Sequence, residues 1–285
     1  MKRFLPKSLK SIFLASALFF TGTTTAMADM AEPRFESLQL GPLFSNLGSR
    51  SCSSDDKPLY EMSFGELLEE EDGDYEKAWD IYELYQLRRI TLDTNVSSAS
   101  VDRLITEIEI LNSLDSTKPI TFTINSGGGS VYAGLRLYNA MKSSKSPIHT
   151  KVDGMAASMA AILLIAGDVR EATPESRIMI HQVSAGTFGQ TNDMEQSLNH
   201  VNTLQDDLYE IVSKNSGLSM EDVRRIANSD VFYDANEALR LGFIDTLTEG
   251  KPQRDVTPGS RTVPENLYPE NRVRQYYKNQ GHTPS

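Results

Sequence analysis

A chain of 285 residues can bury a full hydrophobic core in one large domain or two small ones. Its formal net charge of −11 argues against nucleic acid as a partner, because phosphate binding needs a basic surface. The single cysteine, Cys52, excludes an internal disulfide, and we assign it no role.

The first 28 residues have the three parts of a secretory signal peptide. Basic residues come first, and the short apolar run 12–20 follows them. Ala26-Met27-Ala28 then places small residues at the two positions that a signal peptidase reads. The apolar run is too short to span a bilayer comfortably, so cleavage is favoured over anchoring. We therefore predict a periplasmic or secreted protein, with a cytoplasmic location as the alternative.

Two segments of unusual composition flank the central part of the chain. Residues 29–77 show no sustained period and include the acidic run 69–74, so we predict an acidic, poorly ordered N-terminal extension. Within 249–285 Pro, Arg, Asn and Gln are frequent, which predicts a disordered C-terminal tail. Order is expected to begin near Trp79, and the domain is expected to span residues 78–248.

Strand and helix patterns alternate along this central segment. The predicted strands are 89–92, 120–124, 148–152 and 177–180. The predicted helices are 100–114, 131–142, 159–166, 192–214, 219–227 and 236–241. Such alternation implies parallel strand pairing with right-handed crossovers, and therefore an α/β domain.

The stretch 154–161 places one hydroxyl, that of Ser158, among mostly small residues and directly before the apolar run 162–165. Small neighbours would let a substrate backbone approach the hydroxyl closely. The first amides of the helix would supply partial positive charge for a developing oxyanion. Taken alone, the stretch fits a nucleophilic serine and a simple packing contact equally well.

The glycine cluster Ser126-Gly127-Gly128-Gly129-Ser130 follows a predicted strand and precedes a predicted helix. A phosphate-binding loop is one interpretation, but the cluster lacks both the Lys-Ser/Thr ending of a P-loop and dinucleotide-fingerprint spacing. The other interpretation is a set of backbone amides that polarise a carbonyl. Gly129 and Met159 would then lie at strand-to-helix turns on the carboxyl edge of one sheet, where α/β sites form.

His181 and Asp230 lie at two further element boundaries. His181 follows the apolar strand residues 178–180, and Asp230 directly precedes an apolar stretch. Taken alone, such a histidine is more often structural and such an aspartate is more often a turn or cap residue. With Ser158 they would supply a weak nucleophile, a base and an anion that fixes the tautomer of the base.

Several motifs in order resemble those of the Clp protease proteolytic subunit (ClpP) family, which consists of serine peptidases. They are INSGGGSV at 124–131, GMAASM at 154–159, MIHQ at 179–182, DVF at 230–232 and EALRLGFID at 237–245. The resemblance covers about residues 79–248. It implies the spiral of β-β-α units shared by ClpP and crotonases, with a protruding handle helix.

The resemblance also assigns roles to the candidate residues. It implies Ser158 as nucleophile, His181 as general base and acid, and Asp230 as the orienting carboxylate. The amides of Gly129 and Met159 would form the oxyanion hole. No cofactor or metal is implied.

The family resemblance also implies an assembly. The handle, formed by 185–190 and the helix after it, would join copies into a heptameric ring, single or stacked as a 14-mer, that cleaves peptides or unfolded proteins. An ATP-driven unfoldase is expected as a partner only if the chain is cytosolic, because no ATP is available to an exported protein. The usual N-terminal axial loop of the family is not recognisable.

The sequence departs from the family pattern at three places. Gly127 and Val183 each stand where the family usually has Pro. Asn228-Ser229 replace an acid and an Arg that help to hold two rings together, so we expect a weaker double ring.

Two other classes of function are the alternatives. A crotonase-type acyl-CoA hydratase or hydrolase would share the fold but would need no Ser–His pair at these positions. A catalytically inactive ring scaffold would need no triad at all. Within the peptidase class, a signal-peptide peptidase of the Ser–Lys kind would also suit an exported protein, but no Lys replaces His181. The leading prediction is therefore a serine endopeptidase.

Overall fold

Residues 57–186, 190–248 and 261–272 are described in this computed structural model of the chain. Seven strands and eight α-helices lie wholly within these residues. The strands are β1 (Arg89–Leu92), β2 (Ile120–Ser126), β3 (Ile148–Ala157), β4 (Val169–Ala172), β5 (Arg177–Met179), β6 (Tyr233–Asp234) and β7 (Thr246–Leu247). The helices are α1 (Phe64–Glu70), α2 (Tyr75–Tyr85), α3 (Ser98–Leu114), α4 (Val131–Ser143), α5 (Met159–Ile165), α6 (Thr191–Ser216), α7 (Met220–Ile226) and α8 (Ala235–Leu241).

The strands form one mixed sheet that is mostly parallel. Its neighbours follow the order β1, β2, β3, β4, β7, and every pair in that series is parallel. The last residues of β3 also pair in parallel with β5, which pairs antiparallel with the short β6. The predicted α/β fold class is therefore confirmed, and parallel pairing brings the ends of β2, β3 and β5 to one side of the molecule.

Apolar side chains at the predicted periods fill the core. In β2, Ile120, Phe122 and Ile124 are buried, as strand alternation predicts. Helix α3 begins with a reciprocal capping box between Ser97 and Ser100, and its apolar face packs into the same core. All seven residues of α5 are buried, so the turn that leads into this helix has a rigid support.

Helix α6 changes character along its length. Leu208 and Val212 in its second half are buried, whereas Met194 and Leu198 in its first half are 41% and 57% exposed. The helix ends at Gly217, whose φ of 82° provides a left-handed C-cap. The exposed first half corresponds to the predicted handle, and its apolar side chains lack a covering surface within the described part of this chain.

A buried ion pair connects β4 to the end of α6 and to the segment between α8 and β7. The guanidinium of Arg170 is fully buried and donates to both carboxylate oxygens of Asp245, with Nε–Oδ2 at 3.0 Å and Nη2–Oδ1 at 2.5 Å. It also donates to the carbonyls of Asn215 and Gly242. Loss of either charged partner would leave an uncompensated buried charge, which is strongly destabilising.

The prediction of a poorly ordered extension up to residue 77 is wrong for residues 57–77. Helix α1 begins with a capping box between Ser63 and Glu66, and α2 begins at the N-cap Asp74. Leu59, Leu67 and Ala78 form a small separate core, to which aromatic side chains of both helices add area. The acidic run therefore forms the end of one helix and the turn before the next. Residues 29–56 lie outside the described residues.

The prediction of a disordered tail is also wrong for residues 261–272. This segment contains a short 3-10 helix, Glu265–Leu267, and it buries Val263, Leu267 and Tyr268 against the main core. Spaced apolar residues in a polar segment form no regular period, so composition alone pointed to disorder. The rest of 249–285 lies outside the described residues.

Other differences concern element ends and short strands. Strand β3 runs to Ala157 rather than ending at 152, because residues 155–157 pair with β5. Strands β4, β6 and β7 are not among the predicted strands, because they have two to four residues each and are too short to show a period. Over the described residues, no helix is both long and apolar enough to cross a membrane.

Candidate active site

Ser158 lies at the sharp turn between β3 and α5. Its φ of 55° and ψ of −127° are unusual for a residue other than glycine, and such strain costs about 1–3 kcal/mol. The turn is held because the Ser158 amide donates to the carbonyl of Met179 at 2.9 Å and α5 is anchored in the core. The backbone thus presents the Ser158 hydroxyl at the end of the sheet.

His181 follows β5 and reaches the same hydroxyl. The distance between His181 Nε2 and Ser158 Oγ is 2.9 Å, within hydrogen-bond range. Because β5 pairs with the last residues of β3, the two side chains leave neighbouring strand ends. The parallel pairing of residues 155–157 with 177–179 therefore brings together two groups that lie 23 positions apart in the sequence.

Asp230 completes a row of three side chains. It lies in the loop 227–232 between α7 and β6, and its Oδ1 is 3.1 Å from His181 Nδ1. Its side chain is 75% exposed, so the protein encloses it far less than the histidine. A bond from Gln182 Nε2 to Asn228 Oδ1, at 3.0 Å, connects this loop to the residue after His181.

The glycine loop lies beside Ser158 and is held by the segment before α3. The amide of Val96 donates to the Gly128 carbonyl, and the Ser130 amide donates to the Val96 carbonyl, each at 2.8 Å. These two bonds bracket Gly129 without using its amide. As the first residue of α5, Met159 also has an amide that no intrahelical bond requires. Both amides are thus suited to binding an oxyanion.

An apolar cavity of about 190 Å³ opens next to the three side chains. Gly129, Ser158, Met159 and His181 line it together, so both predicted amide donors share a cavity with the hydroxyl and the imidazole. Its other lining residues are Val131, Ile162, Ile180, Gln182, Val183, Ser184, Leu208, Tyr209 and Val212. Burial raises the pKa of the Tyr209 hydroxyl, so this group stays neutral.

Residues outside the predicted set support the site. Thr94 accepts a hydrogen bond from Ser126 Oγ at 2.6 Å, and Gln205 of the handle helix accepts one from the Val183 amide at 3.1 Å. No motif marks Thr94 or Val96, since they lie in a short connection between β1 and α3. Only the pairing of β1 with β2 places that connection against the glycine loop.

The architecture and the site together define a class of protein. A mostly parallel α/β sheet with Ser and His side chains at two strand ends, an Asp from a neighbouring loop beside the His, and an apolar cavity next to them is typical of a serine hydrolase. Residues 73–251 match the family model described as Clp protease. Because this match spans more than half of the chain, the chain belongs to the Clp protease family of serine peptidases, as the motifs predicted.

Curated relatives support the same family. The ATP-dependent Clp protease proteolytic subunit of Deinococcus radiodurans is 40% identical over 183 residues, which are 63% of this chain and 90% of that protein. The subunit of the same name from Bacteroides fragilis is 40% identical over 162 residues, or 56% and 78% of the two chains. Subunit 1 from Prochlorococcus marinus is 36% identical over 193 residues, or 67% and 98%.

Proposed function

We propose that this protein is a serine endopeptidase that hydrolyses short peptides or unfolded segments of proteins. The proposal is carried by two hydrogen-bond distances. Ser158 Oγ lies 2.9 Å from His181 Nε2, and His181 Nδ1 lies 3.1 Å from Asp230 Oδ1. A hydroxyl becomes an effective nucleophile when an adjacent base takes its proton and a third group orients that base.

The proposed reaction has two stages. His181 Nε2 takes the hydroxyl proton as Ser158 Oγ attacks the scissile carbonyl carbon, and the amides of Gly129 and Met159 donate to the resulting oxyanion. His181 then gives the proton to the leaving amine as the C–N bond breaks, which leaves an acyl-enzyme. Water attacks this ester with His181 again as base and releases the acid. Asp230 accepts from His181 Nδ1–H throughout and stabilises the imidazolium.

The two alternatives are less well supported. An acyl-CoA hydratase or hydrolase of the crotonase type would not require the Ser158–His181 contact, and the family match favours a peptidase. An inactive scaffold would not require the strained backbone at Ser158, because strain of this kind persists mainly at functional sites. Covalent labelling by a fluorophosphonate would separate the peptidase from both.

We further propose that the site works inside a homo-oligomeric ring, heptameric and either single or stacked as a 14-mer. The exposed apolar half of α6 and the high exposure of Asp230 in a single chain support this assembly. The relatives named above carry "ATP-dependent" in their names. For this chain we propose an ATP-driven unfoldase only if the protein is cytosolic.

Replacing Ser158 by Ala in the full chain tests the proposed function. We expect peptide hydrolysis to fall by roughly 10⁶-fold, because the variant keeps only the oxyanion hole and substrate binding. The fold and the oligomer should be unchanged, since alanine fits the same turn. Hydrolysis of an unstructured fluorogenic peptide and fluorophosphonate labelling give the readout.

Ser113→Ala is the matched control. Ser113 lies in α3 and does not line the cavity, and its exposed hydroxyl donates to the carbonyl of Ile110 in the same helix. This variant should be labelled and should turn over peptide at nearly the parent rate. Hydrolysis by Ser158→Ala at a rate close to that of the parent would refute the proposed nucleophile.

A further inference from the structure

The segment 261–272, here named the C-terminal strap, lies beyond the family match, which ends at residue 251. It packs against α7 and β6, the two elements that flank the loop carrying Asp230. Leu267 is fully buried and Tyr268 is 4% exposed, so the strap is part of the core rather than a loose extension. Its first residue, Arg261, donates from its amide to the carbonyl of Gly217, which precedes α7.

On one side the strap holds helix α7. The Tyr268 hydroxyl donates to Asp222 Oδ1 at 2.5 Å, and the Arg225 guanidinium lies 3.4 Å from the centre of the Tyr268 ring. Arg225 Nη2 also contacts Glu270 Oε1 at 2.6 Å. Burial and the bond to Asp222 raise the pKa of Tyr268 to about 12, so the hydroxyl keeps its proton as a donor.

On the other side the strap holds β6 and the helix that follows it. The Tyr233 hydroxyl of β6 donates to the Leu267 carbonyl at 3.0 Å, in a fully buried position. Arg272 Nη1 contacts Glu237 Oε1 of α8 at 2.9 Å. The strap therefore contacts the elements on both sides of the loop 227–232.

Among the described residues, few side chains hold positions 228–232 of that loop directly. Asn228 bonds to Gln182, and Val231 packs partly against the core, but the Asp230 side chain is 75% exposed. The position of the carboxylate therefore depends on how α7 and β6 are fixed. A shift of about 1 Å at a catalytic group is enough to cost on the order of 10²-fold in rate.

We propose that the C-terminal strap is a positioning element of the catalytic site, which fixes α7 and β6 so that Asp230 stays within hydrogen-bond distance of His181. Tyr268 of the strap and Arg225 of α7 are the main positioning residues. This inference rests on the proposed function, because it assigns the strap a role in orienting the base. No residue of the strap lines the cavity, so the strap should affect turnover rather than substrate affinity.

Two variants of the full chain test the proposal. Tyr268→Leu removes the ring and the hydroxyl, and Arg225→Gln removes the ion pair and the ring contact. The Arg225 side chain is 39% exposed, so its replacement leaves the core intact even if Tyr268→Leu fails to fold. For each folded variant we expect kcat to fall by about tenfold to a hundredfold and KM to change by less than about twofold.

Asn271→Ala is the matched control within the strap. Within the described ranges, the Asn271 side chain donates only to Glu265, which is also in the strap, so its loss should leave kcat unchanged. Tyr268→Phe keeps the ring against Arg225 and should recover most of the activity lost in Tyr268→Leu. Parent-like kcat in folded Arg225→Gln would overturn the proposal, and so would an equal fall in Asn271→Ala.

A double-mutant cycle with Asp230→Asn separates positioning from a general structural effect. If the strap acts through Asp230, Arg225→Gln should cause no further loss of kcat in the Asp230→Asn background. A loss of the same size in both backgrounds would refute the proposed route. Failure of the proposed function would look different. In that case Ser158→Ala or Asp230→Asn would keep the parent rate, whatever the strap variants did.

Discussion

Gly128 leaves room for the nucleophile because it has no side chain. Its φ of +95° lies in the region that favours glycine, and a Cβ built there would lie 2.6 Å from the Ala157 carbonyl oxygen and 2.7 Å from Ser158 Cβ. These contacts are with the backbone and the stem of the nucleophile, which have no room to move. The glycine loop therefore approaches the serine turn because Gly128 has no side chain.

We predict that Gly128→Ala lowers kcat/KM by about a hundredfold or more, because the strained turn and the adjacent amide of Gly129 must both shift. Gly127→Ala is the matched control. A Cβ on Gly127 would meet only Met155 Cε, at 3.9 Å, and its backbone needs no left-handed conformation. Peptide hydrolysis and circular dichroism check both variants, and equal activities would contradict this account of the loop.

Among the elements, α6 leaves the apolar side chains of its first half uncovered within the described part of the chain. Its inner half packs on the core through Leu208 and Val212, whereas Met194 and Leu198 face outward. The helix also rests on the start of α4, where the Tyr132 hydroxyl lies 2.5 Å from His200 Nε2. It is therefore held at its inner half and near His200, and it projects an apolar stripe from its first turns.

We predict that Leu198→Glu weakens self-association at least tenfold. Burial of a leucine contributes about 1.5–3 kcal/mol, and a charge placed in the contact would be desolvated. Gln196→Glu adds the same charge on an exposed polar position of the same helix and should leave the oligomer intact. Sedimentation velocity over a range of protein concentrations measures the difference. Indistinguishable profiles for the two variants would mean that this stripe is not the contact between copies.

For the whole molecule, Asn228 bears on the predicted assembly. The family resemblance implies that it is one of two residues replacing a charged pair, and here its side chain accepts a hydrogen bond from Gln182 within the same chain. A polar contact inside the subunit does not replace a charged contact between rings. The weaker double ring therefore stays a prediction with a structural basis at this position.

Export is a prediction for the whole molecule, because the first 28 residues lie outside the described part of the chain. The mature protein should begin at Asp29 and should be recovered outside the cytosol. Mass spectrometry of protein isolated from cells determines its N-terminus. Ala28→Lys should block cleavage, because the peptidase reads a small residue there, and an intact Met1 on the parent protein would contradict export.

The sequence by itself determined the fold class, the long elements and the candidates for the site. Long helices and strands are predictable because apolar residues repeat along them with the period of the element. Motifs identify Ser158, His181 and Gly129 because each follows a recognisable strand. Tertiary structure decided what depends on contacts between distant segments. The helices of 57–77, the C-terminal strap, the bracketing of the glycine loop by Val96 and the reach of β3 to Ala157 all depend on such contacts. No local pattern encodes them, because each segment is stabilised by a surface that exists only after the rest of the chain has folded.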